Sequence, residues 1–367
     1  MAAGLRDAGF YGDVTLIGSE PDPPYERPHL SKGFLAGTVP REKLWLRPRA
    51  QYRELEIDLV LGRRVSELGL DGHRVLLEDG KTIGWDVLCL ATGSDARRLP
   101  QVEPARYLRE LAGARTLRAV IDQGEALEIV GAGFIGCEVA AVAAEKGCKV
   151  RVHEALEQPL MRVLGPELGG YLAALHRRHG VDLNLNVSAL PAMNRPLVAI
   201  GSTPRTRLAE ASRIEVDRGI VVDAFGRTSV EGVFAAGDAT CFFSPLYEQH
   251  IRVEHFQTSQ RQGFAVGRAM AGAAQPYSEV PWFWSDQYEV NLQYAGAGLA
   301  WDELITRGEF GHPPFTVFYL RGGGLVGAAG INDHHTIARI RHVMEARKPV
   351  SPQQLADPNL DLRKLLA

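Results

Sequence analysis

Between Leu127 and Glu154 the chain reads Leu-Glu-Ile-Val, then Gly131-Ala132-Gly133-Phe134-Ile135-Gly136, then small and apolar residues to Gly147, then Lys149–Glu154. The two flanking pieces predict strands and residues Phe134–Gly147 predict a helix. A strand, glycine turn, helix and second strand make a βαβ unit, which demands a parallel sheet. Glycines in this GxGxxG order permit a tight turn and bring backbone N–H groups close to a pyrophosphate at the helix N-terminus. Glu154 ends the second strand, where a carboxylate accepts hydrogen bonds from a ribose diol and repels a 2′-phosphate. The expectation is a dinucleotide site that prefers NADH to NADPH. A lone glycine turn is weak evidence; the strand, helix and acid around this one supply the context.

At ~150 residues per domain, 367 residues make two or three domains. Apolar residues at 45% and charged residues at 23% exclude disordered, collagen-like and coiled-coil chains. With 41 basic and 44 acidic residues, no nucleic-acid partner is expected. Cys89, Cys137, Cys148 and Cys241 contain no CxxC pair, so neither a redox dithiol nor a metal or iron–sulfur site is expected. Apolar runs such as Val139–Ala144 are far shorter than the ~20 residues of a membrane span, and Met1–Phe10 has no leader core. The expectation is a soluble cytoplasmic protein with no membrane partner.

Elsewhere the coarse pattern is α/β. Residues 1–10 predict the tail of a helix, Asp13–Ile17 a strand, and Pro21–Pro48 an ordered loop with short helices. Asp86–Leu90 predicts a strand running into Ala91-Thr92-Gly93, and Val230–Asp238 a strand ending in Gly237-Asp238. Taken singly, the first could be a simple turn, and the aspartate a helix cap. Ser188–Pro196 reads as a loop. From Pro281 onward the texture changes to alternating strands with glycine turns and a helix over Thr336–Arg347, marking a further α+β domain.

Together these pieces resemble the FAD-dependent, NADH-oxidising ferredoxin reductases of bacterial oxygenase systems. The likeness rests on Ile17–Gly37, residues 91–93, Val130–Glu138, Gly219–Asp238, Pro281–Gln287 (PWFWSDQ) and Leu355–Leu366, which span nearly the whole chain. It implies two Rossmann-like domains in a glutathione-reductase-like architecture plus a C-terminal α+β domain. The expected boundaries are 1–112 with 233–280 for FAD, 113–232 for NAD and 281–367 for the C-terminal domain.

The resemblance also implies roles. Glu20 would bind the adenosine ribose of FAD, with Val65 and Ala91, Thr92 and Gly93 along the adenosine half. Arg27 and Lys32 would hold the flavin side, and Arg109 would approach the cofactor. Asp238 would hold the ribityl chain; Glu254, His255 and Phe256 with Trp282 and Trp284 would frame the isoalloxazine. Gly131, Gly133, Phe134, Ile135, Gly136, Glu138, Glu154, Arg162 and Gly201 would serve the nicotinamide nucleotide. Lys32 and Glu138 would meet where the hydride arrives, and electrons would leave near Trp284. Bland alternatives stand beside these: a solvated Lys32, a Glu138 that only decorates its helix's first turn, and core tryptophans. His334 and His335 receive no role.

The implied partner is a small [2Fe–2S] ferredoxin, Rieske-type or plant/vertebrate-type, docking transiently. Arg339, Arg341, Arg347 and Lys348 could receive it, or could form an ordinary solvated face. Missing dithiol chemistry argues against the glutathione-reductase branch itself. Rival functions are a rubredoxin reductase, an NADH:quinone or oxygen oxidoreductase, and a non-catalytic NAD-binding protein that has lost FAD. Two departures from the family pattern are expected to matter. The first strand and glycine loop of the FAD domain are absent before Met1, and Asn184–Pro196 replaces a β-meander, leaving a shortened NAD domain with an exposed sheet edge.

Overall fold

The computed structural model describes residues 1–273 and 275–366. They form two compact units, one of Met1–Glu26, Trp45–Ser94 and Pro204–Pro281, the other of Arg27–Leu44, Asp95–Thr203 and Trp282–Ala367.

In the first unit, helix Ala2–Asp7 packs on helix Phe256–Met270 through two glycines. A Cβ on Gly4 would lie 2.1 Å from the Phe264 carbonyl oxygen, and one on Gly267 2.1 Å from that of Met1, so only hydrogen fits at this crossing. Ala2 and Leu5 join Val14, Tyr52 and Ile57 in one buried cluster. Two parallel strand pairs carry the frame. Val14–Gly18 runs beside Ile57–Leu61, and Val233–Ala235 beside Leu88–Leu90. Around them lie the antiparallel sheet Val65–Gly69, Arg74–Leu77 and Thr82–Gly84, and a sheet of Ile220–Val222, Thr240–Ser244 and Gln249–Ile251. Because Ile220–Val222 pairs with Thr240–Ser244, residues 204–232 fall in this unit; the sequence boundaries had given them to the NAD domain.

The second unit contains the βαβ unit. Its four parallel strands run in the order Asp182–Asn184, Val150–His153, Leu127–Val130, Leu197–Val198. The helix after the glycine turn spans Phe134–Glu145 and is buried almost throughout, as its small and apolar sequence requires. No strand lies within residues 185–196, in keeping with a loop. The sheet edge at Leu197–Val198 is partly covered, however. Arg106 adds a one-residue parallel bridge to Leu197, with its N–H 2.7 Å from the Pro196 oxygen and its oxygen 2.9 Å from the Val198 N–H.

After Pro281 comes a five-stranded antiparallel sheet in the order Trp282–Gln287, Val290–Gly296, Gly324–Ile331, Phe315–Arg321, Glu303–Arg307. Helix His334–Glu345 packs against Gly324–Ile331, its first turn capped by Asp333. Strand Trp282–Gln287 packs on helix Phe134–Glu145, so the C-terminal sheet and the helix after the glycine turn share a core. Phe283 meets Phe134 edge-on at 4.5 Å. Strand alternation therefore buries Phe283, Ser285 and Gln287 and leaves Trp282 and Trp284 half-buried on the other face. Neither tryptophan is the core aromatic of this strand; the phenylalanine between them is.

Candidate functional site

In the first unit Glu20, Ala91–Gly93 and Asp238 stand just past strand carboxyl ends, where open α/β sheets bind ligands. Leu90 and Ala235 are register partners, so Ala91–Gly93 and Ala236–Asp238 leave the paired strands side by side. Asp238 accepts hydrogen bonds from Ser94 at 3.3 Å and Ser259 at 2.7 Å. Thr92 donates to the Arg205 oxygen at 2.7 Å, and Arg205 returns a backbone bond to Gly93 at 2.9 Å. Glu20 follows the other pair, two residues beyond Gly18, and its carboxylate accepts from the Tyr25 hydroxyl at 2.5 Å. Val65 opens its antiparallel strand, half-buried.

His255 precedes helix Phe256–Met270, and burial pulls its imidazole down to about 4. Glu254 is ion-paired with Arg252. In the first turn of that helix the buried Thr258 hydroxyl has no hydrogen-bond partner among the described residues. Two carboxylates at strand ends, each suited to hydroxyl donors, and an orphaned buried hydroxyl fit a cofactor carrying two polyol segments, as FAD does.

In the second unit each glycine of the turn has its own reason. A Cβ on Gly131 would come 2.5 Å from the Ala199 oxygen, and one on Gly136 2.0 Å from the Gly131 oxygen. At Gly133 the nearest atom would be 3.8 Å away, so the protein itself does not demand glycine there. That open approach suits a pyrophosphate drawn close to the backbone. Ile135 is exposed beside it.

Glu154 accepts from the Ala132 N–H at 2.6 Å and from the Leu156 N–H at 3.0 Å. The Leu160 N–H donates to the Ala132 oxygen at 2.9 Å, which sets the first turn of helix Met161–Arg178, and with it exposed Arg162, by the glycine loop. Gly201 has φ +104 with open space around it, and the neighbouring Ser202 hydroxyl is buried with no hydrogen-bond partner among the described residues. These features fit a nicotinamide dinucleotide.

One helix turn on from the glycines, Glu138 is 3% exposed, so it is no surface decoration of its helix. Its Oε1 lies 2.7 Å from Lys32 Nζ and accepts from Ser285 Oγ at 2.7 Å, while its Oε2 accepts from Ser31 Oγ at 2.5 Å. Lys32 precedes the short helix Gly33–Ala36 within the loop read from residues 21–48, and is not a solvated lysine. Arg27 donates to the Arg109 oxygen at 2.6 Å, tying that loop to the segment leading into helix Leu111–Asp122. Trp282 and Trp284 lie 6.0 Å apart, and the Arg341 guanidinium sits 5.1 Å over Trp282 while pairing with Glu345. Arg347 is exposed just beyond helix His334–Glu345.

Ser31 and Ser285, which complete the Glu138 shell, escaped sequence reasoning. Period-two burial from Phe283 was the available signal for Ser285; Ser31 had none beyond adjacency to Lys32. All four cysteines are free, and burial raises each thiol's pKa, that of Cys89 to about 12. Among the described residues no cluster of three metal-ligating side chains occurs, and no helix is long and apolar enough to cross a membrane.

Paired strand ends bearing carboxylates, a glycine-turn βαβ unit and a buried lysine–glutamate pair define a dinucleotide-dependent oxidoreductase. The chain belongs to the pyridine nucleotide-disulphide oxidoreductase family, whose model matches residues 1–195 and 192–263, with a reductase C-terminal domain over residues 282–366. Within it the chain belongs with the ferredoxin reductases. It is 37% identical to the ferredoxin–NAD(+) reductase component of the anthranilate 1,2-dioxygenase system of Burkholderia cepacia, covering 100% of this chain and 96% of that protein. It is 35% identical to rhodocoxin reductase of Rhodococcus erythropolis, covering 100% of this chain and 91% of that one. The putidaredoxin reductase chain of a covalent complex with putidaredoxin superposes with a TM-score of 0.94 at 32% identity, covering 100% of this chain and 94% of that one.

Proposed function

We propose that this chain oxidises NADH with bound FAD and passes the electrons one at a time to a [2Fe–2S] ferredoxin serving an oxygenase. The observation that carries the reading is the buried Lys32–Glu138 pair at the start of the dinucleotide helix. FAD, when bound, supplies the conversion of a two-electron hydride into single electrons. In the first unit, Glu20 and Asp238 would accept hydrogen bonds from its two polyol segments. Val65, Ala91, Thr92 and Gly93 would pack its adenosine half, and Glu254, His255 and Phe256 would shape the ring pocket. In the second unit, Arg27, Lys32, Arg109, Trp282 and Trp284 carry the flavin-side roles that the family resemblance implies.

Gly131, Gly133, Phe134, Ile135, Gly136, Arg162 and Gly201 would receive NADH. Glu154 would favour it over NADPH by repelling a 2′-phosphate. Lys32 and Glu138 would hold the charge around the hydride's path, orienting the reacting atoms and keeping water out. Electrons would leave near Trp284, and Arg339, Arg341, Arg347 and Lys348 would attract an acidic partner. Unpaired thiols suit a reducing cytoplasm.

The test is the visible spectrum of purified protein supplied with FAD, before and after NADH without oxygen, followed by ferredoxin, rubredoxin or quinone. A flavin band that bleaches with NADH and recovers fastest with a [2Fe–2S] ferredoxin supports the reading. Absence of a bound flavin band overturns it in favour of a non-catalytic NAD-binding protein. Faster recovery with rubredoxin or quinone moves the function to those acceptors.

A further inference from the structure

Glu138 is the end of a longer buried chain. Ser285 Oγ, which bonds Glu138 at 2.7 Å, receives Gln287 Nε2 at 3.1 Å. Gln287 Oε1 lies 3.0 Å from His176 Nε2, and His176 Nδ1 lies 3.1 Å from the Tyr288 hydroxyl. Ser285, Gln287 and His176 are each 2% exposed or less. Two come from the strand Trp282–Gln287, one from helix Met161–Arg178, and Tyr288 from the turn after the strand.

Donor and acceptor chemistry fixes the direction of every bond. A carboxylate only accepts, so Ser285 donates to Glu138 and accepts from the Gln287 amide. The Gln287 oxygen must then receive the His176 Nε2–H. Burial pulls His176 down to about 4, so the ring is neutral and its Nδ1 is an acceptor for the Tyr288 hydroxyl. Burial also raises the Tyr288 pKa, which keeps that hydroxyl a donor. All four protons point toward Glu138. Such a one-way series polarises each member in turn.

The groups facing its two ends are few. Lys32 and Ser31 face Glu138 from the loop, Ser285 from the strand, and the Cys137 thiol is its neighbour on the helix. His179 stacks on Tyr288 at 3.7 Å and bonds Glu289, and Cys137 and Glu145 of the helix also bear on the Tyr288 hydroxyl. An amide link does not carry protons onward, so the series orients and polarises rather than conducts.

We propose that Tyr288, His176, Gln287 and Ser285 form a positioning relay that holds the Glu138 carboxylate against Lys32 and thereby sets the rate of hydride transfer. The proposal rests on the reading of Lys32 and Glu138 as the hydride-side pair. Residues far from the reacting atoms thus become rate-determining through Glu138 alone.

Two measurements test it. In labelled protein without NADH, nitrogen-resolved NMR should find His176 protonated on Nε2, with that proton resonance moving upfield in Glu138→Gln; protonation on Nδ1 reverses the donor order and overturns the relay. In the FAD-loaded protein, His176→Leu and Gln287→Leu should slow flavin reduction by NADH about tenfold at an unchanged NADH dissociation constant, the scale of one neutral hydrogen bond. His176→Gln, which can still donate to Gln287, should restore most of that rate.

Unchanged reduction rates with a lowered Tm would make the chain a packing feature and overturn the proposal. If His176→Leu fails to fold, Tyr288→Phe removes only the last donor and should slow the same step about twofold; no change there also overturns it. Glu138→Gln separates the two levels. A normal reduction rate in Glu138→Gln sinks the hydride-side reading, whereas a slow Glu138→Gln beside a normal His176→Leu sinks only the relay.

Discussion

Glu154 accepts a hydrogen bond from the Ala132 amide at 2.6 Å, so the side chain proposed to select NADH also latches the glycine loop. Its second oxygen holds the Leu156 amide. Replacing it therefore acts twice. Glu154→Arg should raise the KM for NADH and improve NADPH use, and should cost about 1–3 kcal/mol of stability from two amides left without acceptors. Steady-state kinetics with both nucleotides and a thermal melt check this; an unchanged nucleotide preference refutes the ribose role.

Lys32→Ala leaves the Glu138 carboxylate buried with two hydroxyl donors and no cation. Breaking a buried pair on one side costs about 3–5 kcal/mol, and flavin reduction should slow while NADH still binds. Stopped-flow reduction and a binding titration separate the two effects. A wild-type reduction rate refutes the placement of Lys32.

Acid should weaken the fold through two histidines. His176 and His255 both sit at about 4, against 6.5 for the ordinary side chain, because burial disfavours their charged form. The unfolded chain takes up these protons first, so their stabilising contribution is complete above 6.5 and is lost as pH falls toward 4. Melting temperatures should fall across that window. His176→Gln, which has nothing to titrate there, should flatten the decline, and a decline as steep as before would refute the assignment.

For partner docking, Arg347→Glu probes the exposed residue just beyond helix His334–Glu345 and leaves the Arg341 contacts with Trp282 and Glu345 in place. The ferredoxin KM should rise several-fold in low salt and converge with wild type near 1 M, where charges are screened within about 3 Å. Equal KM values at low salt would remove Arg347 from the docking face.

Much of this arrangement was legible in the sequence. Local chemistry marks the positions of the glycines before a small-residue helix and of the acids at strand ends within a few residues, whereas Lys32 was singled out only through the family resemblance. What escaped came from long-range packing. Ser285 meets Glu138 across 147 residues, and Gln287 meets His176 across 111. No local pattern encodes such meetings. Domain limits slipped for a similar reason, because pairing of Ile220–Val222 with Thr240–Ser244, not composition, decides where residues 204–232 reside. Trp282 and Trp284 drew attention by size, yet strand alternation chose the smaller Phe283 for the core.

Cys137 stands next to Glu138 on the dinucleotide helix, deeply buried, with its thiol held in the protonated form. Peroxide attacks thiolates, and a buried, protonated thiol offers it none. A sulfur so placed is chemically silent beside the Lys32–Glu138 pair. The helix can therefore meet oxidants without that residue becoming a point of failure.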